Sequence, residues 1–573
     1  MIGPGTANSK ATKGKPVARI LELTAVLIAL AGANSVVAQP AEANPATPAA
    51  VGAAAVDHPF PRRVPAPELT GGTGWVNTAE PLSLAQLRGK FVLLDFWTYC
   101  CINCIHQIPE LKKLERAYPN QLVVVGVHSA KFDGEQDIQN IRDAVLRYEI
   151  EHPVVNDPEM AIWHRYGVRS WPTMVLIDPN GEAVWIASGE KTFEELRQPL
   201  ERGIAYYRQQ GQLNEQPRRF ETEASKAQPS PLKFPGKVLA DEASDRLFIA
   251  DSNHNRIVVA TLEGELITTI GSGTEGRADG TLQTSQFHHP QGMALDGDKL
   301  YVADTENHLL REVDLTNGNV TTIAGTGQQI RGFAGFDPTA APTNTSLASP
   351  WALWIHEGQL YVAMAGTHQI WIMPLDKSSI SPYAGNGRED IVDGRLLPRT
   401  PYRPGFSSFA QPSGLASDGE RLFVADSEGS TIRSVPFDRK GKVETLVGLT
   451  DTLFDFGDVD GVGKDVRLQH ALGVAWHGEI LYVADTYNNK IKALDVEERS
   501  CKTFAGKGES GHADAESPLA ATFDEPAGLS AAAGKLYVAD TNNHLIRVID
   551  LENGNRVSTL AIEGLAPLPA EKP

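Results

Sequence analysis

The apolar positions between residues 90 and 180 follow two periods, and each period predicts a different kind of element. Continuous apolar runs at Phe91–Trp97 and 122–127 predict buried parallel strands. Apolar residues at helical spacing over 105–117 and 138–148 predict helices that pack against those strands. Thr173–Ile177 predicts a further strand, which an Asn-Gly turn joins to a hairpin partner. The resulting order, β-α-β-α-β-β-α, indicates a small α/β sandwich.

The C-terminal half repeats one pattern six times. Each copy has an alternating apolar core, an upstream partner that contains glycine, and a downstream apolar stretch that ends in a glycine turn. Successive copies are 53 to 62 residues apart, which leaves room for four short strands and their loops. Six such units in a closed ring leave no long free edge, so the pattern predicts an all-β six-bladed propeller. The six cores lie at residues 246–257, 299–311, 359–370, 421–433, 480–492 and 535–547.

The N-terminus has the features of a secretory signal peptide. Basic residues precede a short apolar run at 23–31, and small residues follow as far as Ala38. We therefore predict a signal peptide over 1–38 and an Ala/Pro-rich linker over 39–64. An uncleaved membrane anchor and an ordinary N-terminal segment are the alternatives. Cleavage predicts an extracytoplasmic protein, periplasmic or secreted, whereas the alternatives predict a membrane-anchored or a cytoplasmic one.

Composition narrows the possible functions. The 573 residues carry a formal net charge of −19, which argues against general nucleic-acid binding because such a surface needs a cationic footprint. Four cysteines in so long a chain do not form a disulfide scaffold. The 52 glycines and 37 prolines indicate many turns, as a large β domain requires.

The candidate chemistry lies where the first strand passes into the first helix, at a Cys-x-x-Cys motif. A helix start offers unpaired N–H groups and the positive end of the helix dipole, so we expect a lowered pKa for the Cys101 thiol. Cys104 lies one turn further on and can attack a mixed disulfide formed by Cys101. Cys101 is therefore the predicted nucleophile and Cys104 the predicted resolving thiol. Half of a zinc site is disfavoured, because the sequence has no second Cys pair and Cys501 stands alone.

Residues 95–104, DFWTYCCINC, and the WPT segment at 171–173 resemble the active-site segment and the cis-proline loop of thioredoxins. The resemblance implies that Pro172 is a cis-proline beside the nucleophile, and that Asp95 exchanges the proton of the resolving thiol. Asp95 as a satisfied buried carboxylate, and a redox-inert domain, remain the alternatives. Cys100 replaces the usual tryptophan, and its role as a packing residue, a spare thiol or an alternative partner stays open. We expect no catalytic role for His106 and His128.

The six repeats resemble NHL repeats. Five of them carry an aspartate before Ser or Thr, which we expect to fix the turn by accepting nearby backbone N–H groups. Met364 takes this position in the third repeat, so a symmetric ring of metal ligands is not expected. Cys501 lies in an apolar strand context and is expected to be a buried packing thiol. The repeated aspartates are Asp251, Asp304, Asp426, Asp485 and Asp540.

Together the two parts resemble the NHL-repeat-containing protein 2 family and its bacterial relatives. We therefore predict a thioredoxin-like domain at 65–205, a linker at 206–230 and a six-bladed NHL-type β-propeller at 231–573. The resemblance implies a thiol-disulfide oxidoreductase that acts on protein or small-molecule disulfides, with the propeller as the docking platform. It would need an upstream redox partner, and no cofactor beyond the redox-active Cys101–Cys104 disulfide. The alternative is a non-enzymatic interaction scaffold; a propeller hydrolase is disfavoured because the repeats carry no metal-ligand set.

Overall fold

The computed structural model describes residues 57–331, 337–397, 405–449 and 451–568. The predicted signal peptide and most of the predicted first linker lie outside these residues. None of the helices in the described part of the chain is long and apolar enough to cross a membrane. From Asp57 onward the chain forms one compact unit that contains both predicted domains.

The first domain is a seven-stranded sheet with helices on both faces. Its sheet order is β1-β7-β6-β3-β4-β5-β2, in which β3, β4 and β5 are parallel and the other pairs are antiparallel. Both faces are apolar and covered, which explains why β3 and β4 are continuous apolar runs. From β3 to α4 the structure has the predicted order with one strand more, and it also adds β1, β2 and α3. The elements are β1 Val64–Pro65, β2 Gly74–Val76, β3 Phe91–Trp97, α1 Ile102–Ala117, β4 Leu122–His128, α2 Ile138–Arg147, β5 Val154–Asn156, α3 Ala161–Tyr166, β6 Thr173–Ile177, β7 Glu182–Ser188 and α4 Phe193–Gln209.

Both predicted linkers contribute residues to the first domain. His58 Nε2 lies 3.0 Å from the hydroxyl of Tyr207 on α4, and Phe60 is buried beside the same helix. After α4 ends, the ammonium group of Lys90 donates to the carbonyl oxygens of Asn214 and Gln216 at 2.9 and 2.6 Å. The domain therefore includes residues on both sides of 65–205.

The second domain has the predicted six blades, each built from one continuous stretch of chain. Every blade is an antiparallel sheet of four main strands, and blades two, four and five add a two-residue strand. Blade one contains β8 Pro235–Asp241, β9 Arg246–Asp251, β10 Arg256–Ala260 and β11 Leu266–Ile270; blade two contains β12 Gly280–Thr281, β13 Pro290–Asp296, β14 Lys299–Asp304, β15 Leu309–Asp314 and β16 Asn319–Ala324; blade three contains β17 Pro350–His356, β18 Gln359–Met364, β19 Gln369–Pro374 and β20 Ser381–Ala384. Blade four contains β21 Gly394–Arg395, β22 Pro412–Ser417, β23 Arg421–Asp426, β24 Thr431–Pro436 and β25 Lys442–Val447; blade five contains β26 Gly461–Val462, β27 Gly473–His477, β28 Ile480–Asp485, β29 Lys490–Asp495 and β30 Ser500–Ala505; blade six contains β31 Pro526–Ala532, β32 Lys535–Asp540, β33 Leu545–Asp550 and β34 Arg556–Leu560.

The repeated aspartates accept backbone N–H groups, but from residues 16 or 18 positions earlier in the chain and not, as predicted, from the turn that follows. In blade two Asp304 accepts from the His288 N–H at 2.8 Å and from the buried Arg311 guanidinium at 2.8 Å. In blade three both members of the pair change together, since Met364 takes the place of the aspartate and Trp371 that of the arginine. The Met364 sulfur still lies 3.4 Å from the corresponding N–H nitrogen. An apolar pair thus substitutes for an ion pair there. The other aspartates that accept such N–H groups are Asp251, Asp426, Asp485 and Asp540.

Candidate functional site

The Cys-x-x-Cys pair lies at the start of α1, directly after β3. Cys101 occupies the N-cap position, and its side chain makes no capping hydrogen bond. The Cys104 N–H donates to the Cys101 carbonyl at 3.0 Å, and the interaction between the two thiols lowers the pKa of Cys101 and raises that of Cys104. All four cysteines of the chain are free thiols in this structure. The two thiols therefore lie together in one buried cluster at the start of α1.

The expectation of a lowered pKa at Cys101 is wrong. The hydrogen bond from Cys104 lowers the pKa of the Cys101 thiol, but burial and the nearby carboxylates of Glu428 and Glu389 outweigh it, so the pKa lies above its ordinary value. Cys101 is only 5% exposed. Burial also raises the pKa of Cys104 well above its ordinary value, and the hydrogen bond to Cys101 adds to that rise. The resting site therefore favours thiols over thiolates.

Asp95 lies beneath the pair, in the middle of β3, with Gly126 and Met174 as its neighbours on β4 and β6. Its carboxyl group is buried, and within the described residues Oδ1 has no hydrogen-bond partner. Burial raises the pKa of Asp95 to about 7, against a smaller opposing effect of His152. The charge of Asp95 acts in turn on Cys104 and raises the pKa of that thiol. Asp95 is therefore a buried carboxyl group whose pKa lies near neutral pH and whose charge acts on Cys104.

The peptide bond between Trp171 and Pro172 is cis, as the resemblance to thioredoxins implies. Pro172 directly precedes β6, the strand that pairs with β3. The Trp171 ring packs in the same apolar cluster as Cys101 and Cys104, and its Nε1 donates to the Ser129 carbonyl at 3.0 Å. The cis-proline loop thus lies at the side of the thiol pair.

The remaining cysteines and histidines named in the sequence analysis are packed or hydrogen-bonded within the folded chain. Cys100 is buried, and burial together with Glu135 raises the pKa of its thiol well above the ordinary value. His106 lies 2.8 Å from Glu190 Oε1, and buried His128 stacks against the Tyr99 ring. Cys501 is fully buried in an apolar cluster of the propeller, as expected of a packing thiol.

The propeller covers this site with six structurally equivalent residues, which we call the docking ring. Each precedes the inner strand of its blade, and these inner strands are β8, β13, β17, β22, β27 and β31. Each has a φ between 46° and 64°, a left-handed conformation that costs a non-glycine residue about 1–2 kcal/mol. In each case a side chain of the preceding blade accepts the backbone N–H at 2.8–3.2 Å, and His544 of blade six closes the ring onto blade one. The docking ring consists of Phe234, His289, Ser349, Gln411, His470 and Glu525.

Five members of the docking ring contact the thioredoxin-like domain through different chemistry. The hydroxyl of Ser349 lies 2.8 Å from His106 Nε2, and the rings of His470 and Phe132 are 5.4 Å apart. The other three members make an ion pair between a carboxylate and a guanidinium, a contact between a histidine and a carboxylate, and a hydrogen bond between a side-chain amide and the backbone beside Cys101. In that order, the three pairs are Glu525–Arg147, His289–Glu149 and Gln411–Ile102.

Gln411 binds the backbone on both sides of Cys101. Its Oε1 accepts from the Ile102 N–H at 2.8 Å, and its Nε2 donates to the Cys100 carbonyl at 2.9 Å. Blade four also supplies Glu428, which pairs with Lys131 of the first domain at 2.9 Å, with both side chains buried. The propeller therefore sets both the backbone geometry and the local charge of the thiol site.

A small cavity remains where the docking ring meets the first domain. Its volume is about 50 Å³, and Cys100, Ile105 and Tyr148 line it on the side of the first domain. Residues from all six blades line the other side. This space holds on the order of three water molecules. A protein substrate would need the docking ring to separate from the first domain. Among the residues that the structure describes, no group of three His, Cys, Asp or Glu side chains could hold a metal ion.

Sequence reasoning missed the docking ring, although a signal was present. Five of the six inner strands begin with proline, and the residue before the strand differs from blade to blade. Because this residue varies while the rest of the repeat is constant, the propeller fold does not require a particular side chain at this position. The contact of Gln411 with Ile102 spans 309 residues, so local patterns could not predict it.

Comparisons with known proteins agree with the two-part organisation. A family model described as thioredoxin-like matches residues 89–183, and the NHL repeat model matches residues 287–312 and 523–549. NHL repeat-containing protein 2 of Homo sapiens is 42% identical over 529 residues, which cover 87% of this chain and 71% of that protein. The chloroplastic protein SUPPRESSOR OF QUENCHING 1 of Arabidopsis thaliana is 44% identical over 521 residues, covering 87% of this chain and 48% of that protein. Thiol-disulfide oxidoreductase ResA of Halalkalibacterium halodurans is 30% identical over 122 residues, covering 21% of this chain and 67% of that protein.

Proposed function

The chain belongs to the NHL repeat-containing protein 2 family, and we propose that it is a thiol-disulfide oxidoreductase with Cys101 as nucleophile and Cys104 as resolving thiol. The observation that carries the proposal is the buried Asp95 carboxyl, whose pKa is raised to about 7 and whose charge acts on Cys104. An inert scaffold gains no stability from such a group, because an unpaired buried carboxyl is costly. The similarity of this domain to ResA supports the same chemistry.

The reaction has two exchange steps. The Cys101 thiolate attacks one sulfur of a partner disulfide, a mixed disulfide forms, and the other partner sulfur leaves as a thiolate that takes up a proton. Cys104 then gives its proton to Asp95 and attacks the Cys101 sulfur. The Cys101–Cys104 disulfide forms and the second partner thiol is released. The partner is reduced by two electrons, and an upstream thiol donor must return them.

The propeller is the proposed docking platform. In this structure the docking ring occupies the face that contains Cys101, with Pro172 at the side of the site. We propose that a protein substrate reaches the thiol pair when the docking ring separates from the first domain, and that a small disulfide reaches it by the same route. We also propose an extracytoplasmic location, where the upstream reductant is needed because the surroundings are oxidising.

Replacing Cys104 with serine is expected to trap mixed disulfides on Cys101, since the step that releases the partner is lost. The full-length variant is incubated with disulfide-bonded protein and with oxidised glutathione, and the adducts are identified by mass spectrometry of the Cys101 peptide. Cys501→Ser, a change at a buried thiol outside the site, should leave release intact and accumulate no adduct.

The double variant Cys101→Ser/Cys104→Ser is the second control and should form no adduct at position 101. Adducts that persist in this double variant, or the absence of any adduct on Cys104→Ser with both probes, would favour the interaction scaffold instead.

A further inference from the structure

Helix α1 lacks a cap from its own N-cap residue. Cys101 occupies that position and its side chain makes no capping hydrogen bond. The Cys104 N–H is bound to the Cys101 carbonyl, whereas the Ile102 N–H has no acceptor within the helix. A thiolate at the N-cap is stabilised by such N–H groups and by the helix dipole. An acceptor on the Ile102 N–H therefore offsets part of the positive potential that would otherwise stabilise the Cys101 thiolate.

The competitor is Gln411, from another domain and 309 residues away. Its Oε1 accepts the Ile102 N–H at 2.8 Å and so satisfies one of the first N–H groups of α1, which have no partner within the helix. Its Nε2 donates to the Cys100 carbonyl at 2.9 Å, so the amide can be oriented in one way only. Gln411 is 1% exposed.

The backbone of Gln411 is held as firmly as its amide. Its N–H donates to His368 Nδ1 at 3.2 Å, and its carbonyl accepts the hydroxyls of Ser413 and Ser427 at 2.9 and 2.8 Å. Burial lowers the pKa of His368 to about 4, so the ring is neutral and can accept this bond at neutral pH. All of these groups belong to the propeller, which presents the amide as a fixed element.

We propose that Gln411 is a positioning residue that caps the active-site helix from the propeller and so withholds its first N–H from the Cys101 thiolate. Cys101 is then kept as a thiol while the propeller is docked, and becomes a better nucleophile when the docking ring separates. The consequence for disulfide exchange rests on the proposed function. The effect on the thiol itself does not.

The test is the pH dependence of iodoacetamide alkylation of Cys101 in the reduced full-length chain, quantified on the Cys101 peptide. Gln411→Met keeps the length of the side chain and removes both hydrogen bonds, so we expect the alkylation midpoint to fall by about 0.5 to 1 pH unit. Gln411→Glu can keep both bonds when protonated and adds a negative charge when ionised. Its midpoint should therefore lie at or above that of the wild type.

Gln291→Met is the matched control, because Gln291 lines the same cavity from blade two. Its midpoint should equal that of the wild type. An unchanged or raised midpoint in Gln411→Met would overturn the proposal. So would a fall of the same size in Gln411→Glu, since both variants would then act by loosening the interface. Trapping on Cys104→Ser is scored separately, so a failure of the oxidoreductase proposal and a failure of this one give different results.

Discussion

Asp95→Asn is expected to raise the free energy of unfolding by about 4 kcal/mol at pH 8, while it slows disulfide turnover by at least about 100-fold. Burial raises the pKa of Asp95 from 3.8 to about 7. A raised pKa means that the folded state binds the proton more tightly than the unfolded state. The loss of stability that the wild-type Asp95 carboxylate causes is therefore absent below about pH 4, grows between pH 4 and pH 7, and is complete above that range.

Urea unfolding at pH 8 and pH 4 measures this difference, which should shrink towards zero at the lower pH. Asp157→Asn is the matched control, because Asp157 is also buried but accepts the N–H groups of Ile162 and Trp163 at 2.9 Å. That variant should be less stable than the wild type. If Asp95→Asn also lost stability and kept full turnover, Asp95 would be a satisfied structural carboxylate, as one reading of the sequence allowed.

Lys131→Met is expected to lower the free energy of unfolding by about 3–5 kcal/mol at pH 9. The Lys131 ammonium lies 2.9 Å from Glu428 Oε1 across the domain interface, and both side chains are buried. Without the lysine, the Glu428 carboxylate stays buried beside Glu389 and lacks a cation. Burial and Glu389 already raise the pKa of Glu428 to about 7, so the loss should be smaller at pH 5, where Glu428 binds a proton.

The double variant Lys131→Met/Glu428→Gln distinguishes the loss of the whole ion pair from the loss of one of its charges. Removing both charges should restore most of the stability, since a buried ion pair replaced as a whole is close to neutral. Thermal and urea unfolding at pH 5 and pH 9 provide the comparison. A double variant as unstable as Lys131→Met would mean that Lys131 acts through packing and not through its charge.

The parts of the site that depend on local sequence could be predicted. A buried apolar run followed by Cys-x-x-Cys and a helical pattern places Cys101 and Cys104 at a strand-to-helix junction, and the structure has them there. The WPT segment correctly implied the cis bond at Pro172. The propeller followed from repetition, because six copies of one strand pattern can bury their faces only against one another.

The protonation state of the thiols could not be predicted in this way. A helix N-terminus lowers the pKa of a thiol only where its N–H groups are free and the surroundings admit charge. Here Gln411 takes the Ile102 N–H, while burial and Glu428 disfavour the thiolate. Both side chains come from blade four, more than 300 residues along the chain, and their position depends on how the propeller docks.

Cys101 and Cys104 are proposed to form a reversible disulfide beneath the propeller. A redox titration of the intact chain in dithiothreitol buffers, with differential alkylation and mass spectrometry of each cysteine peptide, tests it most directly. We expect the thiols of Cys101 and Cys104 to disappear together with one two-electron midpoint, while Cys100 and Cys501 stay reduced throughout. Free thiols at both positions under all conditions, or a disulfide that includes Cys100 in place of either residue, would contradict it.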